Sequence, residues 1–241
     1  MAINFFPKKN HQNFFFKIQI LNLKMKFRGS ETETNIVAAI HGEAAAIQRY
    51  KIYAEAAREE GLFAIADRVF EATSLEEGAH HKRLWSLIAA GMIEEPEEPS
   101  PVSVNVGSAV TIGKTLYNLK KAVAGEDHEY KDMYADFAKK ALEESRAAEE
   151  AADKKLFQEA HRVFMGLLNA ERTHSVRFEY FADLLTNEAL YARSDIVTYR
   201  CSVCGYVVVG KKLAVPECPL CKSQKGYFYV IEDDVAMNMR P

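Results

Sequence analysis

Four apolar stripes run through this chain, and each is interrupted by a carboxylate where helical periodicity calls for a hydrocarbon. The first is Ile36, Ile40, Glu43, Ile47, Tyr50, Ala54 and Ala57. Steps of three and four put such residues on one face of a helix. After a break at Gly61 the second takes in Leu62, Ile65, Val69, Phe70, Thr73, Glu77, His80, Leu84, Leu87 and Ile88, and it stops at Gly91. The third is Ile112, Leu116, Leu119, Val123, Glu126, Tyr130, Met133 and Phe137, with Glu129 beside Glu126. The fourth is Leu156, Ala160, Val163, Leu167, Glu171, His174, Phe178, Phe181 and Leu185. Burying an unpaired carboxylate costs roughly several kcal/mol, so each acid must be paired or must hold a cation.

The connections suggest how the stripes assemble. Between Glu94 and Val106, Pro96, Pro99 and Pro101 exclude a helix interior. That length suits a crossover along a bundle, because adjacent antiparallel helices need only a short loop. The third helix is then expected to begin near Ser108. From Ala141 to Lys155 the chain is polar and alanine-rich, with no Gly or Pro to mark a turn. The expected fold is mainly α: a four-helix bundle with a long crossover, followed by a small β-rich C-terminal unit.

Two of the stripes carry Glu-x-x-His, as Glu77/His80 and Glu171/His174, and two carry a lone acid, Glu43 and Glu126. Residues i and i+3 share a helix face, so one turn can offer a carboxylate and an imidazole together. One Glu from each of two helices and Glu-x-x-His from the other two is the di-iron or di-manganese carboxylate pattern. Oxygen and nitrogen donors suit those metals, and two cations offset several buried acids. A single Glu-x-x-His is usually a solvated pair, but two in phase with two lone core acids are hard to obtain by chance. His41, His81, His128 and His161 fall off the stripes and read as surface residues, and Glu59, Glu60 and Glu76 read as solvated charges. Tyr50 and Tyr134 lie near proposed ligands; each is either a hydrogen-bond donor to a ligand or a plain core aromatic.

All four cysteines follow residue 200, as Cys201-x-x-Cys204 and Cys218-x-x-Cys221, thirteen residues apart. Four thiolates at tight turns signal a tetrahedral metal site rather than disulfides, and sulfur suits zinc or iron alike. The pairs lie among Val, Tyr and Phe runs typical of short strands.

At 241 residues, with 48% hydrophobic and 27% charged residues, the chain reads as an ordinary globular protein. A net charge of −3 gives no argument for nucleic acid. No apolar run approaches the roughly 20 residues needed to cross a bilayer, so no membrane role is expected. Reduced cysteines point to a reducing compartment, the cytoplasm. Residues 1–28 are basic, free of acids and rich in Phe. They read as an N-terminal extension with no part in the chemistry, ahead of a bundle at 29–190, a cysteine unit at 196–232 and a polar tail at 233–241.

In this order the two constellations resemble rubrerythrin, a ferritin-like di-iron domain followed by a rubredoxin-like domain. The resemblance covers roughly residues 25 to 232 and rests on Gly42-Glu43, Glu77-x-x-His80, Glu126-x-x-Glu129, Glu171-x-x-His174 and the two cysteine knuckles. It implies Glu77 and Glu171 as bridging carboxylates, and Glu43, Glu126 and His174 as terminal ligands. It further implies that one iron exchanges His80 for Glu129 as the redox state changes, which makes those two residues the catalytic pair. Three features depart from the family pattern. The stretch between Glu129 and Glu171 is longer by about a dozen residues, Ala135 stands where a Pro commonly follows the Tyr, and the basic N-terminus has no counterpart.

The expected activity is that of a non-haem peroxidase, which reduces hydrogen peroxide to water and protects against oxidative stress. The single iron at Cys201, Cys204, Cys218 and Cys221 would pass on electrons from a reductase or rubredoxin ultimately fed by NAD(P)H. The resemblance suggests a homodimer or larger homo-oligomer, with the cysteine-bound iron of one subunit serving the di-iron site of another. One rival is a ferroxidase or iron-storage protein with a structural zinc ribbon; another is a purely structural, metal-stapled interaction module.

Overall fold

The computed structural model describes residues 25–91, 102–105 and 111–233. Helix α1 (Glu31–Glu59) starts at Ser30, whose hydroxyl accepts the Glu33 N–H at 3.1 Å. Glu33 in turn accepts the Gly29 N–H at 2.7 Å, so the first turn is capped from both directions. The buried carboxylate of Glu144 accepts the N–H groups of Glu31 and Thr32, which ties this end to the far side of the bundle. The helix ends at Gly61, whose φ of 72° is a left-handed conformation that favours glycine.

A second rod joins α2 (Phe63–Ile65), a π-helical segment (Ala66–Glu71) and α3 (Ala72–Gly91). A third joins α4 (Thr115–His128), another π-helical segment (Glu129–Met133) and α5 (Tyr134–Ala147). The fourth is α6 (Ala151–Thr186). Helix α1 packs along α3, and α6 packs along α4 and α5, so two helical pairs face each other. Two apolar clusters fill the interior. One gathers Ile36, Ile40, Leu84, Leu87, Phe157 and Phe164; the other gathers Tyr53, Phe70, Leu119, Phe178 and Phe181. The acids interrupting the four stripes lie between these clusters, at one level of the bundle.

Several boundaries differ from the expectations. The third helix starts at Thr115 rather than near Ser108, and Ile112 is exposed. Glu60, expected to be solvated, accepts the Thr115 N–H at 2.6 Å and its hydroxyl at 2.8 Å, serving as the missing cap of α4. The turn with no Gly or Pro falls at residues 148–150, where Ala148 and Glu150 are extended. The π-helical segment after His128 adds one residue to its turn. Beyond it the buried face is Tyr134, Ala138 and Ala141, and Phe137 is only partly buried. Phe27, assigned to the basic extension, is buried against Phe157 with ring centroids 5.5 Å apart. Residues 1–24, 92–101, 106–110 and 234–241 lie outside the described residues, and with them most of the crossover expected between Glu94 and Val106.

The C-terminal unit is an antiparallel sheet of β1 (Ala192–Cys201), β2 (Val207–Lys212) and β3 (Phe228–Val230), in the order β2-β1-β3. Its first strand begins at Ala192, not after 196. Tyr199, Leu213, Phe228 and Val230 form its small core. It docks on the bundle through Phe63 and Tyr227, whose rings stack 4.1 Å apart and nearly parallel. Gly226 lies so close to the Gly61 carbonyl that a Cβ would not fit. Asp233, expected to open a polar tail, is buried against Arg193 at 2.8 Å and Tyr180 at 2.5 Å. No helix among the described residues is long and apolar enough to cross a membrane.

Candidate metal centres

The polar layer divides into two donor groups: Glu43, Glu77, His80 and Glu171, and Glu77, Glu126, Glu171 and His174. Within each, the ligand atoms lie within 4.8 Å of one another. Glu77 and Glu171 belong to both. The imidazoles enter from opposite helices with ring centroids 5.5 Å apart. His80 Nδ1 faces Glu77 at 2.9 Å and Glu171 at 3.1 Å, and His174 Nδ1 faces Glu171 at 2.8 Å and Glu77 at 3.2 Å.

A metal pair fits this cavity on the evidence of its orphaned atoms. Glu43 Oε2, Glu77 Oε1, Glu126 Oε2, both Glu171 oxygens and His174 Nδ1 are buried, form no well-aligned hydrogen bond among the described residues, and face only one another and His80 Nδ1. Buried polar atoms are otherwise almost always paired, and here six lone-pair donors converge. The other oxygens of the two lone acids are occupied. Tyr50 donates to Glu126 Oε1, and Tyr134 donates to Glu43 Oε1. Burial and the facing carboxylates push both phenols well above their usual range, so they remain donors. Both tyrosines thus donate to a buried acid as well as packing in the core.

The same crowding governs the acids. Burial pushes Glu126 up to about 8 and drives Glu43 and Glu129 well above the carboxylate range. Burial opposes charge on His80, but Glu171 and Glu77 outweigh it and raise the imidazole to about 9. Without cations, these groups therefore retain protons that metal would displace.

Glu129 is half-buried at the start of the second π-helical segment and stands outside both donor groups. It still faces the layer, since Glu126, Glu171 and Glu77 help to raise its pKa. Glu76 departs from the sequence reading. It accepts from His174 Nε2 at 3.0 Å and from the Arg177 guanidinium at 2.5 and 3.2 Å. The spacing of Glu76 on α3 gave no hint of this, because its partners lie on α6. Burial would raise Glu76, but His174 and Arg177 hold it down to about 2. His41 and His128 are exposed as expected, and His161 is half-buried on the Ala138 carbonyl.

In the C-terminal unit, Cys201, Cys204, Cys218 and Cys221 bring their sulfurs within 4.8 Å of one another. Two similar turns present them. Gly205 N–H donates to the Cys201 carbonyl and Lys222 N–H to the Cys218 carbonyl, each at 2.9 Å. Gly205 and Lys222 both have positive φ, at 78° and 63°. None of the four is in a disulfide. Ser223 beside Cys221 lowers that thiol to about 6, toward the thiolate that a metal requires.

The sequence pattern of the rubrerythrin family matches residues 34–182, and that of the rubrerythrin rubredoxin-like domain matches residues 199–229. The chain belongs to the rubrerythrin family. Rubrerythrin of Porphyromonas gingivalis is 32% identical over 206 residues, 86% of this chain and 92% of that protein. Rubrerythrin of Nitratidesulfovibrio vulgaris is 34% identical over 205 residues, 85% and 96% of the two chains. A mixed-valence structure of nigerythrin aligns at a TM-score of 0.50 with 31% identity, covering 88% of this chain and 94% of that one. The mainly helical bundle and small strand unit are thus the family's fold. The two donor sets are those of a rubrerythrin: a di-iron carboxylate site and a four-cysteine site.

Proposed function

We propose that this member of an oxidoreductase family is a non-haem peroxidase that reduces hydrogen peroxide to water, consuming two electrons and two protons. The observation that carries the reading is the sharing of Glu77 and Glu171 between two donor groups in a chain that also has a tetrathiolate site. Shared carboxylates suit bridging ligands, leaving Glu43, Glu126 and His174 as terminal ones. A reduced metal pair held by Glu43, Glu77, His80, Glu126, Glu171 and His174 would supply the two electrons that reduction of the O–O bond consumes, and a metal held by Cys201, Cys204, Cys218 and Cys221 would be the source that restores them.

The chain's own residues prepare that step. Tyr50 and Tyr134 hold Glu126 and Glu43 in orientation and keep two protons at the buried layer. Access falls to His80, which lines an open groove of about 410 Å³ with Ala79, Arg83, Glu159, Arg162 and Val163. Glu129 is poised outside the donor groups while His80 lies inside one, which supports their assignment as the pair that trades places on one iron. In this reading the protein works in the cytoplasm as a homodimer or larger homo-oligomer and takes electrons from an NAD(P)H-linked reductase or rubredoxin.

Rapid mixing of the fully reduced protein with peroxide tests the proposal. Both iron signals should oxidise within the turnover time. If the cysteine site stays reduced, or is colourless because it holds zinc, electron supply from that site fails and the ferroxidase reading gains.

A further inference from the structure

The two imidazoles of the polar layer are held differently. His174 offers Nδ1 to the cavity, while its Nε2 lies 3.0 Å from Glu76 Oε2. The Arg177 guanidinium meets both oxygens of Glu76 and also donates to Thr73 Oγ1 at 2.8 Å. A planar fork on a carboxylate sets the direction of that carboxylate as well as its charge. With Nε2–H donating to a fixed acceptor, the tautomer is set and the Nδ1 lone pair points inward. His80 has no such support: among the described residues its only polar contacts are made by Nδ1. The residue preceding Glu171 is Ala170, where the residue preceding Glu77 is Glu76. The carboxylate that crosses to His174 therefore has no counterpart available to cross to His80.

We propose that Glu76 and Arg177 are positioning residues that fix His174 as an Nδ1 metal ligand. Glu76 is half-exposed and meets no donor atom of the cavity other than this imidazole, so it acts through His174 alone. Removing such a support typically lowers metal affinity by about 10- to 100-fold. The inference rests on the carboxylate cavity binding metal and not on peroxide turnover, and its readout is metal affinity, so the two can fail separately.

The test is ferrous iron binding by the full chain, measured in competition with a ferrous-selective chelator. Glu76→Ala should weaken the bundle site by about 10- to 100-fold and leave the cysteine site unchanged as an internal reference. Glu76→Gln keeps an acceptor oxygen and should stay within about threefold of the parent. Arg177→Lys keeps the charge without the fork and should fall between them, which keeps the test open if Glu76→Ala does not fold. In the cobalt(II)-loaded protein, the hyperfine-shifted Nε2–H proton of His174 should persist in the parent and Glu76→Gln and be lost to solvent exchange in Glu76→Ala. Parent-like affinity in both Glu76→Ala and Arg177→Lys would overturn the proposal. So would equal losses in Glu76→Ala and Glu76→Gln with the proton signal intact.

Discussion

The two halves of the bundle repeat one another, and their differences are more informative than their likeness. In one half, Glu43 on α1 precedes Tyr50, and Glu77-x-x-His80 follows on α3. In the other, Glu126 on α4 precedes Tyr134, and Glu171-x-x-His174 follows on α6. Each tyrosine crosses to the lone acid of the opposite half. Against this likeness, Glu129 stands three residues after Glu126, where Ala46 stands three after Glu43. Tyr50 stands seven positions after Glu43 and Tyr134 eight after Glu126, the additional one absorbed by the π-helical segment at Glu129–Met133. Chemistry common to both halves is what a metal pair needs. The departures gather around one half: it carries Glu129 and the π-helical segment, and its His174 meets Glu76 through Nε2, whereas among the described residues His80 makes polar contacts through Nδ1 alone.

The largest expected effect lies where the halves are most alike. Glu77 and Glu171 belong to both donor groups, so Glu77→Ala and Glu171→Ala should each lose both bundle metals while the cysteine site keeps its own. Each substitution takes a ligand from both donor groups at once; losing a mere support of a ligand typically costs about 10- to 100-fold in metal affinity, so losing a shared ligand should cost more. Metal analysis per subunit, with the cysteine site as reference, checks this. A variant that retained one tightly held bundle iron would break the equivalence of the two shared carboxylates.

Metal removal comes next, and it should make stability fall as pH rises. In the metal-free chain Glu126 is raised to about 8, with Glu43 and Glu129 also well above their ordinary values. Between the ordinary carboxylate range and those values, the folded chain holds protons that the unfolded chain has released, so stability falls as pH rises. His80, raised to about 9, acts in the same direction: its contribution is full below about 6.5 and is lost as pH rises through about 9. Glu77 is depressed, but its opposing contribution changes only below the ordinary carboxylate range. The metal-free protein should therefore lose on the order of 2 kcal/mol or more between pH 5.5 and 9. Iron-loaded protein, whose ligands are already deprotonated, should not follow it. Thermal melts of both forms across this range decide the matter.

Much of the layer was legible in the sequence because a charged residue inside an apolar stripe violates helical periodicity conspicuously. Glu43, Glu77, Glu126, Glu171 and His174 all stand on faces that the structure buries. Elements depending on contacts between helices were hidden. Glu76 and Glu60 looked solvated because their partners, His174 with Arg177 and Thr115, are remote in sequence. The face after Glu129 was misjudged because a regular period runs through Met133 and Phe137, whereas an added residue in the turn buries Tyr134 and Ala138. No residue type announces such a turn. Phe27 sat in a basic, Phe-rich stretch whose composition masked one side chain that enters the core.

The unmatched residue gives a third prediction. Glu129→Ala should retain both bundle irons in the reduced state, because neither donor group includes Glu129. Its turnover with peroxide should nevertheless fall by about 10-fold or more, as expected when an interaction made in only one state of the cycle is lost. Loss of all metal from Glu129→Ala would place it among the permanent ligands and erase the difference between the halves.

The smallest effect probes the likeness itself. Tyr50→Phe and Tyr134→Phe each remove one hydroxyl from a fully buried site, leaving Glu126 Oε1 or Glu43 Oε1 without its donor. In the metal-loaded protein, where both acids are deprotonated, a hydrogen bond to a charged group contributes about 1.5–3 kcal/mol, and both variants keep the ring and nearly all of its packing. The two losses in thermal stability should therefore agree to within about 1 kcal/mol, despite the different turns that carry the tyrosines. Tyr134 depends on the π-helical segment to face Glu43, and Tyr50 sits on an uninterrupted α1. A much smaller loss for Tyr134→Phe would mean that the added residue leaves its hydroxyl poorly aimed. Equal losses would mean that the segment admits Glu129 to the layer without weakening the contact beyond it.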